Sequence, residues 1–200
     1  MRILVIGATG TIGRAVVETL YTRHEVVPVG HSSGALTVDI ASPESIRAMF
    51  SAAGKIDAVV SCAGRGAFKP LAQLSDNDFA LSLANKLMGQ VNLVRLGAPS
   101  VGDDGSFTLT SGIFSRQPAP GGAALAMVNG ALESFARAAA LELPRRIRVN
   151  IVSPPWVSET MVAMGRDPAG GLPAAVVARS YLRAVEGSMN GETIDARTGT

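Results

Sequence analysis

Apolar positions along the chain follow two alternating periods. Short aliphatic and β-branched runs at residues 2–6, 25–29, 36–38, 58–61, 107–110, 148–152 and 193–195 predict strands. Between them, apolar residues at helical spacing over residues 11–21, 43–53, 75–96, 123–143 and 173–185 predict amphipathic helices. This alternation from end to end implies an α/β fold, a parallel sheet of about seven strands with helices on both faces. Local chemistry agrees with the pattern. Ser42-Pro43-Glu44 supplies a capping hydroxyl, a first-turn proline and an acid at a helix start. Asp103-Asp104-Gly105 predicts a turn before the fifth strand, and Pro154-Pro155 stops the sixth. The 123–143 helix carries small and apolar residues around most of its circumference, so burial on two sides is expected, against the sheet and against a partner helix. No repeat, linker or low-complexity segment interrupts the pattern, and residues 1–200 are read as one domain.

Composition narrows the function classes. With 47% hydrophobic and 17% charged residues the chain has enough apolar material for a core, and it lacks the unbroken apolar run that a membrane span needs. One cysteine, Cys62, excludes an internal disulfide framework, and two separated histidines, His24 and His31, offer no metal-ligand spacing. The apolar run after Met1-Arg2 is interrupted at Gly7 and is too short for a signal segment, so cytoplasmic residence is the expectation. The isoelectric point is about 9.0, yet formal net charge is only +2. Arg145-Arg146-Ile147-Arg148 is the one tight basic cluster, which argues against nucleic acid as a partner.

The candidate chemistry begins at Gly7-Ala8-Thr9-Gly10-Thr11-Ile12-Gly13, directly between the first strand and the first helix. A dinucleotide pyrophosphate needs backbone N–H groups, close chain approach and a helix N-terminus, and side chains at these glycines would obstruct all three. The plain alternative is a tight turn that binds nothing. The fold expectation becomes a Rossmann-type doubly wound sheet that binds NAD(P). At the end of the second strand an acid would accept from ribose hydroxyls and repel a 2′-phosphate. Here the chain reads His31-Ser32-Ser33, three donors and no acid, which favours NADP over NAD.

In these motifs and several others the chain resembles the short-chain dehydrogenase/reductase family, from Arg2 to about Asp195. Asp39-Ile40 stands where the family has an acid beside the adenine, and Ser61-Cys62-Ala63-Gly64 replaces its Asn-Asn-Ala-Gly turn. Thr110-Ser111 closes the fifth strand at the place of the catalytic serine, and Ile147-Arg148-Val149-Asn150-Ile151-Val152-Ser153-Pro154 is similar to its "IRVN..SPG" segment. The resemblance implies hydride transfer between a nicotinamide and a carbonyl or alcohol carbon. It also implies a serine orienting the substrate oxygen, a tyrosine as general acid or base, a lysine four residues later that lowers the tyrosine pKa, and an asparagine on the preceding long helix.

Aligned on Gly130-Ala131-Leu132-Glu133-Ser134-Phe135, the tyrosine position falls on Leu125 and the lysine position on Asn129. Neither Tyr21 nor Tyr181 starts a Tyr-x-x-x-Lys pattern. The asparagine position falls on Lys86, so lysine and asparagine have exchanged places. The exchange reading has Lys86 restoring a cation near the nicotinamide ribose while Asn129 bonds ribose hydroxyls; the other reading is a surface lysine beside an unrelated asparagine. Ser111 remains as the donor to the substrate oxygen. Pro154, Trp156 and Val157 are expected to flank the nicotinamide, and residues 156–172 to form a lid over the substrate. The family's habit of pairing its two long helices implies a homodimer or homotetramer. The expectation is an NADP-dependent oxidoreductase for a small carbonyl or alcohol substrate, with a nonstandard proton source. A dinucleotide-binding sensor without turnover is the alternative.

Overall fold

The computed structural model describes residues 1–198. Seven parallel strands form one sheet: β1 (Arg2–Ile6), β2 (Glu25–Gly30), β3 (Leu36–Thr37), β4 (Ile56–Ser61), β5 (Val101–Thr110), β6 (Arg148–Ser153) and β7 (Thr193–Asp195). Their order is β3-β2-β1-β4-β5-β6-β7. The winding therefore reverses between β1 and β4, and in such sheets the crevice at the carboxyl ends of those two strands is where ligands bind.

Alternate residues of β1 show why both faces need helices. Leu4 and Ile6 join a cluster with Ile46, Phe50, Leu93 and Leu132, supplied by α2 (Pro43–Ala53), α4 (Gly89–Gly97) and α5 (Ala123–Glu142). Ile3 and Val5 face the opposite way, onto Val16, Leu20, Val177 and Tyr181 of α1 (Thr11–Tyr21) and α7 (Ala174–Glu186), which follows the short α6 (Ser158–Ala163). A one-residue slip in β1 would exchange these two sets, so packing on both faces pins the register. No helix among the described residues is long and apolar enough to cross a membrane.

Two expectations change. The single helix over 75–96 is three pieces: α3 (Asp76–Leu81), a π-helical turn (Ser82–Met88) and α4. Ser75 starts it with a capping box, its hydroxyl accepting from the Asp78 N–H while Asp78 accepts from the Ser75 N–H. Within the π turn the Gly89 N–H reaches back to the Ala84 carbonyl, one residue further than an α-helix allows. Periodicity cannot register so local an insertion.

The turn expected at Asp103-Asp104-Gly105 is instead a bulge within β5. Ile56 pairs with Val101 but Ala58 pairs with Ser106, so the additional β5 residues loop out. Asp104 takes φ 59°, tolerable for a short polar side chain, and its carboxylate accepts two 2.6 Å bonds from Arg146. The basic cluster is engaged internally in this way throughout. Arg148 donates to the carbonyls of Ala184 and Val185 at the end of α7, and Arg145 to that of Ala98.

On α5, Ala124, Val128, Leu132 and Ala136 face inward, while Leu141 is 89% exposed.

Glycine sets how closely α1 approaches the sheet. A Cβ on Gly13 would run into the backbone of Gly7 and Ala8, which cannot move because the Gly7 and Ala8 N–H groups both bond the Val29 carbonyl. Gly13→Ala is therefore expected to cost about 1–3 kcal/mol, read from the urea midpoint. An unchanged midpoint would show that the loop relaxes at no cost.

Candidate active site

Two hollows open at the carboxyl end of the sheet, the first over β1, β2 and β4 and the second over β5 and β6. The first, a groove of about 440 Å³, is lined by Gly7, Thr9 and Gly10 of the first loop, by His31, and by Asp39, Ile40, Cys62, Ala63 and Gly64. All of these were expected from sequence. Close approach is what the glycines permit, since a Cβ on Gly7, at φ 79°, would sit 2.9 Å from the Ala63 nitrogen. The α1 N-terminus is capped by no side chain and carries no acid in its first turn, which leaves its N–H groups directed at the groove's end. Ser32 and Ser33 lie exposed in the tight turn after β2, Thr11 opens α1, and Gly13 packs under the loop; none of these four lines either hollow.

Sequence reasoning missed two polar side chains of this groove. Arg65 brings a cation to it, and the Asn85 Oδ1 accepts a 2.7 Å bond from the Arg65 N–H. Cys62 lines the groove, but its thiol lies against the Tyr181 hydroxyl and burial pushes its pKa up to about 12.

The second hollow is an inner pocket of about 190 Å³. Ile12 links it to the phosphate loop, and Lys86, Ser111, Asn129, Pro154, Trp156 and Val157 line it, with Leu125 and Thr160. The Lys86 ammonium is held by backbone alone, 3.2 Å from the Ser111 carbonyl and 3.4 Å from that of Thr110. Asn129 donates from Nδ2 to the next carbonyl, Gly112, at 3.2 Å, and its buried Oδ1 has no protein partner. The two residues of the supposed exchange thus hold consecutive carbonyls at the end of β5.

Glycine and glutamine complete the arrangement. Gly64, at φ 137°, leaves room for the Lys86 stem, whose Cγ would lie 3.1 Å from any Cβ there. Gln90 is fully buried and donates to the carbonyls of both Lys86 and Thr110 while accepting from the Thr110 N–H. It binds the π turn to the end of β5, and nothing in the sequence pattern had marked it.

Another omission is chemically larger. Glu133, only 6% exposed, accepts two hydroxyl bonds on one oxygen, from Ser111 Oγ at 2.9 Å and Ser115 Oγ at 2.7 Å. Its signal was its spacing, four residues after Asn129 and eight after Leu125, which places all three along one face of α5. Neither tyrosine reaches the pocket. Tyr21 is 70% exposed, and Tyr181 is fully buried among the α1 and α7 packing, its hydroxyl 2.6 Å from Thr110 Oγ1.

The buried ammonium has a pH signature. With no carboxylate beside it, burial pulls the Lys86 pKa from 10.5 down to about 8. Below pH 8 the group is charged in folded and unfolded chains alike, and its full desolvation cost is present. Between about 8 and 10.5 only the unfolded chain keeps the proton, so folding stability rises with pH. The buried Cys62 thiol works in the opposite sense above its ordinary value of 9.0, and comparison with Lys86→Met cancels it. From pH 7 to pH 10 the native chain should gain about 2–3 kcal/mol relative to Lys86→Met, measured by urea unfolding. A constant difference would mean that Lys86 keeps an ordinary pKa.

The comparisons with known proteins agree with this geometry. The family described as enoyl-(acyl carrier protein) reductase matches residues 12–189. The chain is 36% identical over 133 residues to the short-chain dehydrogenase/reductase ATR9 of Stachybotrys chlorohalonatus, a match covering 62% of this chain and about half (49%) of that one. Among solved structures, protein lin1944 from Listeria innocua is 45% identical with a TM-score of 0.94, covering 98% of each chain. A small-chain dehydrogenase in complex with NADPH is 27% identical with a TM-score of 0.86, covering 98% of this chain and 95% of that one. With the doubly wound sheet, the glycine loop at its switch point and a family match over most of its length, the chain belongs to the short-chain dehydrogenase/reductase family of oxidoreductases.

Proposed function

We propose that the protein is an NADP(H)-dependent oxidoreductase for a small carbonyl or alcohol compound, in which Ser111 and Glu133 carry the proton. The observation that carries this reading is that Ser111, on the wall of a pocket without a tyrosine, donates its hydroxyl to the buried Glu133 carboxylate behind that wall.

The residues present fit a dinucleotide. The glycine loop and the uncapped α1 N-terminus suit a pyrophosphate, and Asp39 and Ile40 stand ready beside an adenine. His31, Ser32 and Ser33 offer donors and no carboxylate to a 2′-phosphate, a preference also supported by the NADPH complex of the similar dehydrogenase. The unpartnered Asn129 Oδ1 and the Lys86 ammonium suit ribose hydroxyls, with Cys62, Ala63 and Gly64 along the same edge and Pro154, Trp156 and Val157 beside the ring. When bound, a nicotinamide dinucleotide supplies or takes up the hydride.

The protein's own residues manage the proton. Ser111 gives its hydrogen to Glu133, which leaves the lone pairs of Oγ free to accept. In the oxidising direction the substrate hydroxyl proton passes to Ser111 Oγ as Ser111 passes its own to Glu133 Oε1; reduction runs the same path in reverse. Ser115 steadies the carboxylate oxygen that receives it. The Lys86 charge, held against the Ser111 carbonyl, lowers the cost of negative charge building on the substrate oxygen. The exposed apolar residues Met88, Met127 and Leu141 support assembly of a homodimer or homotetramer through the long helices.

At a hundred times its Kd, NADPH should add about 2–3 kcal/mol of stability, and it should raise the melting temperature more than NADH at the same concentration. No shift with either would overturn the dinucleotide reading. In NADPH-oxidation assays across carbonyl substrates, Glu133→Gln and Ser111→Ala should each lower kcat by roughly 10²–10⁴-fold at unchanged NADPH affinity. Activity confined to a Leu125→Tyr/Asn129→Lys double variant would instead establish the nucleotide-sensing alternative.

A further inference from the structure

Beyond the inner pocket lies a larger hollow of about 680 Å³, the size of a small-molecule site. Three aromatic rings stand between the two. Phe114 and Trp156 line the inner pocket and Phe68 lines the outer one. Phe68 stacks on Phe114 at 5.7 Å, and Trp156 meets both rings edge-on at 5.5 and 5.6 Å. The outer walls are otherwise apolar and stiffened by Pro70, Pro118 and Pro120.

Set on this aromatic wall is Arg166. Its guanidinium carbon lies 5.0 Å from the Trp156 ring centre and 5.5 Å from that of Phe68. Among the described residues its side chain has no ion pair and no hydrogen bond. The other cation at the hollow, Lys69, is held by Asp78 at 2.8 Å. No carboxylate lines either hollow. A guanidinium whose faces rest on rings keeps its N–H edge free for bidentate contact with an anion; the neighbouring Asp167 is turned to its own 3₁₀ start, accepting from the Ala169 N–H.

We infer that the substrate is an apolar ketone or alcohol that also bears a carboxylate. The reacting oxygen sits at Ser111, the apolar body against Phe68, Phe114 and Trp156, and the carboxylate on Arg166. This rests on the reading of the inner pocket as the hydride-transfer site. A neutral substrate of the same shape would leave Arg166 without a partner.

Trp156 is the only tryptophan in the chain, so its fluorescence reports on this wall directly. The probes are 4-oxo-4-phenylbutyrate and its primary amide, titrated into the NADPH-loaded and the free protein. The keto acid should quench saturably with a Kd roughly tenfold or more below that of the amide. Arg166→Met, which keeps an unbranched stem over the rings, should bring the keto acid to the affinity of the amide, and Arg166→Lys should recover part of the difference. Equal affinities in the native protein, no saturable quenching by either probe, or an Arg166→Met variant that still prefers the acid would each overturn the inference. NADPH binding is followed separately by thermal shift. Retained NADPH binding with no acid preference sinks the anion site alone, whereas an acid preference without NADPH binding sinks the dinucleotide reading alone.

Discussion

A single buried ammonium organises the reactive end of this molecule. Lys86 is 8% exposed and carries its charge into the sheet crevice with only carbonyl oxygens for company. Such a group is costly to enclose, and the surrounding structure is arranged around that cost. Gly64 gives way to the lysine stem, the π turn sets where the side chain enters, and Gln90 ties that turn to Thr110. In return the carbonyls of Thr110 and Ser111 are fixed, and with them the Ser111 hydroxyl.

Leu125, Asn129 and Glu133 form one stripe of α5, four residues apart. Leu125 packs so closely over Gly66 that a Cβ there would lie 2.5 Å from Leu125 Cδ2. The stripe thus runs from an apolar side chain, through the Asn129 amide on the Gly112 carbonyl, to the buried Glu133 carboxylate beneath two serine hydroxyls.

Much of the fold was legible in the sequence because its signals are local and repeated. The β1 run, the glycine loop and the capped start of α2 each declare themselves within a few residues, and every strand appears where its apolar run predicts, β1 and β7 with the same ends and the other five with one end displaced. The groove was legible for the same reason, since its glycines answer to steric demands that can be read one position at a time. What escaped depends on partners far away in the chain. The β5 bulge is recognised only against β4, since Asp103 and Asp104 look like any turn. The Glu133 hydrogen bonds need Ser111 and Ser115 brought from 22 and 18 residues away, and the Phe68–Trp156 edge contact joins still more distant segments. The π turn escaped because one inserted residue barely disturbs an apolar stripe.

The sole cysteine faces the same crevice, and its surroundings make it chemically quiet. A thiol titrating near 12 is ionised in about one molecule in a hundred thousand at neutral pH. Alkylation, peroxide oxidation and disulfide exchange all proceed through the thiolate, so Cys62 is a poor target for each. Reagents and oxidants that act on a thiolate are therefore expected to react slowly with the sulfur on this groove's wall.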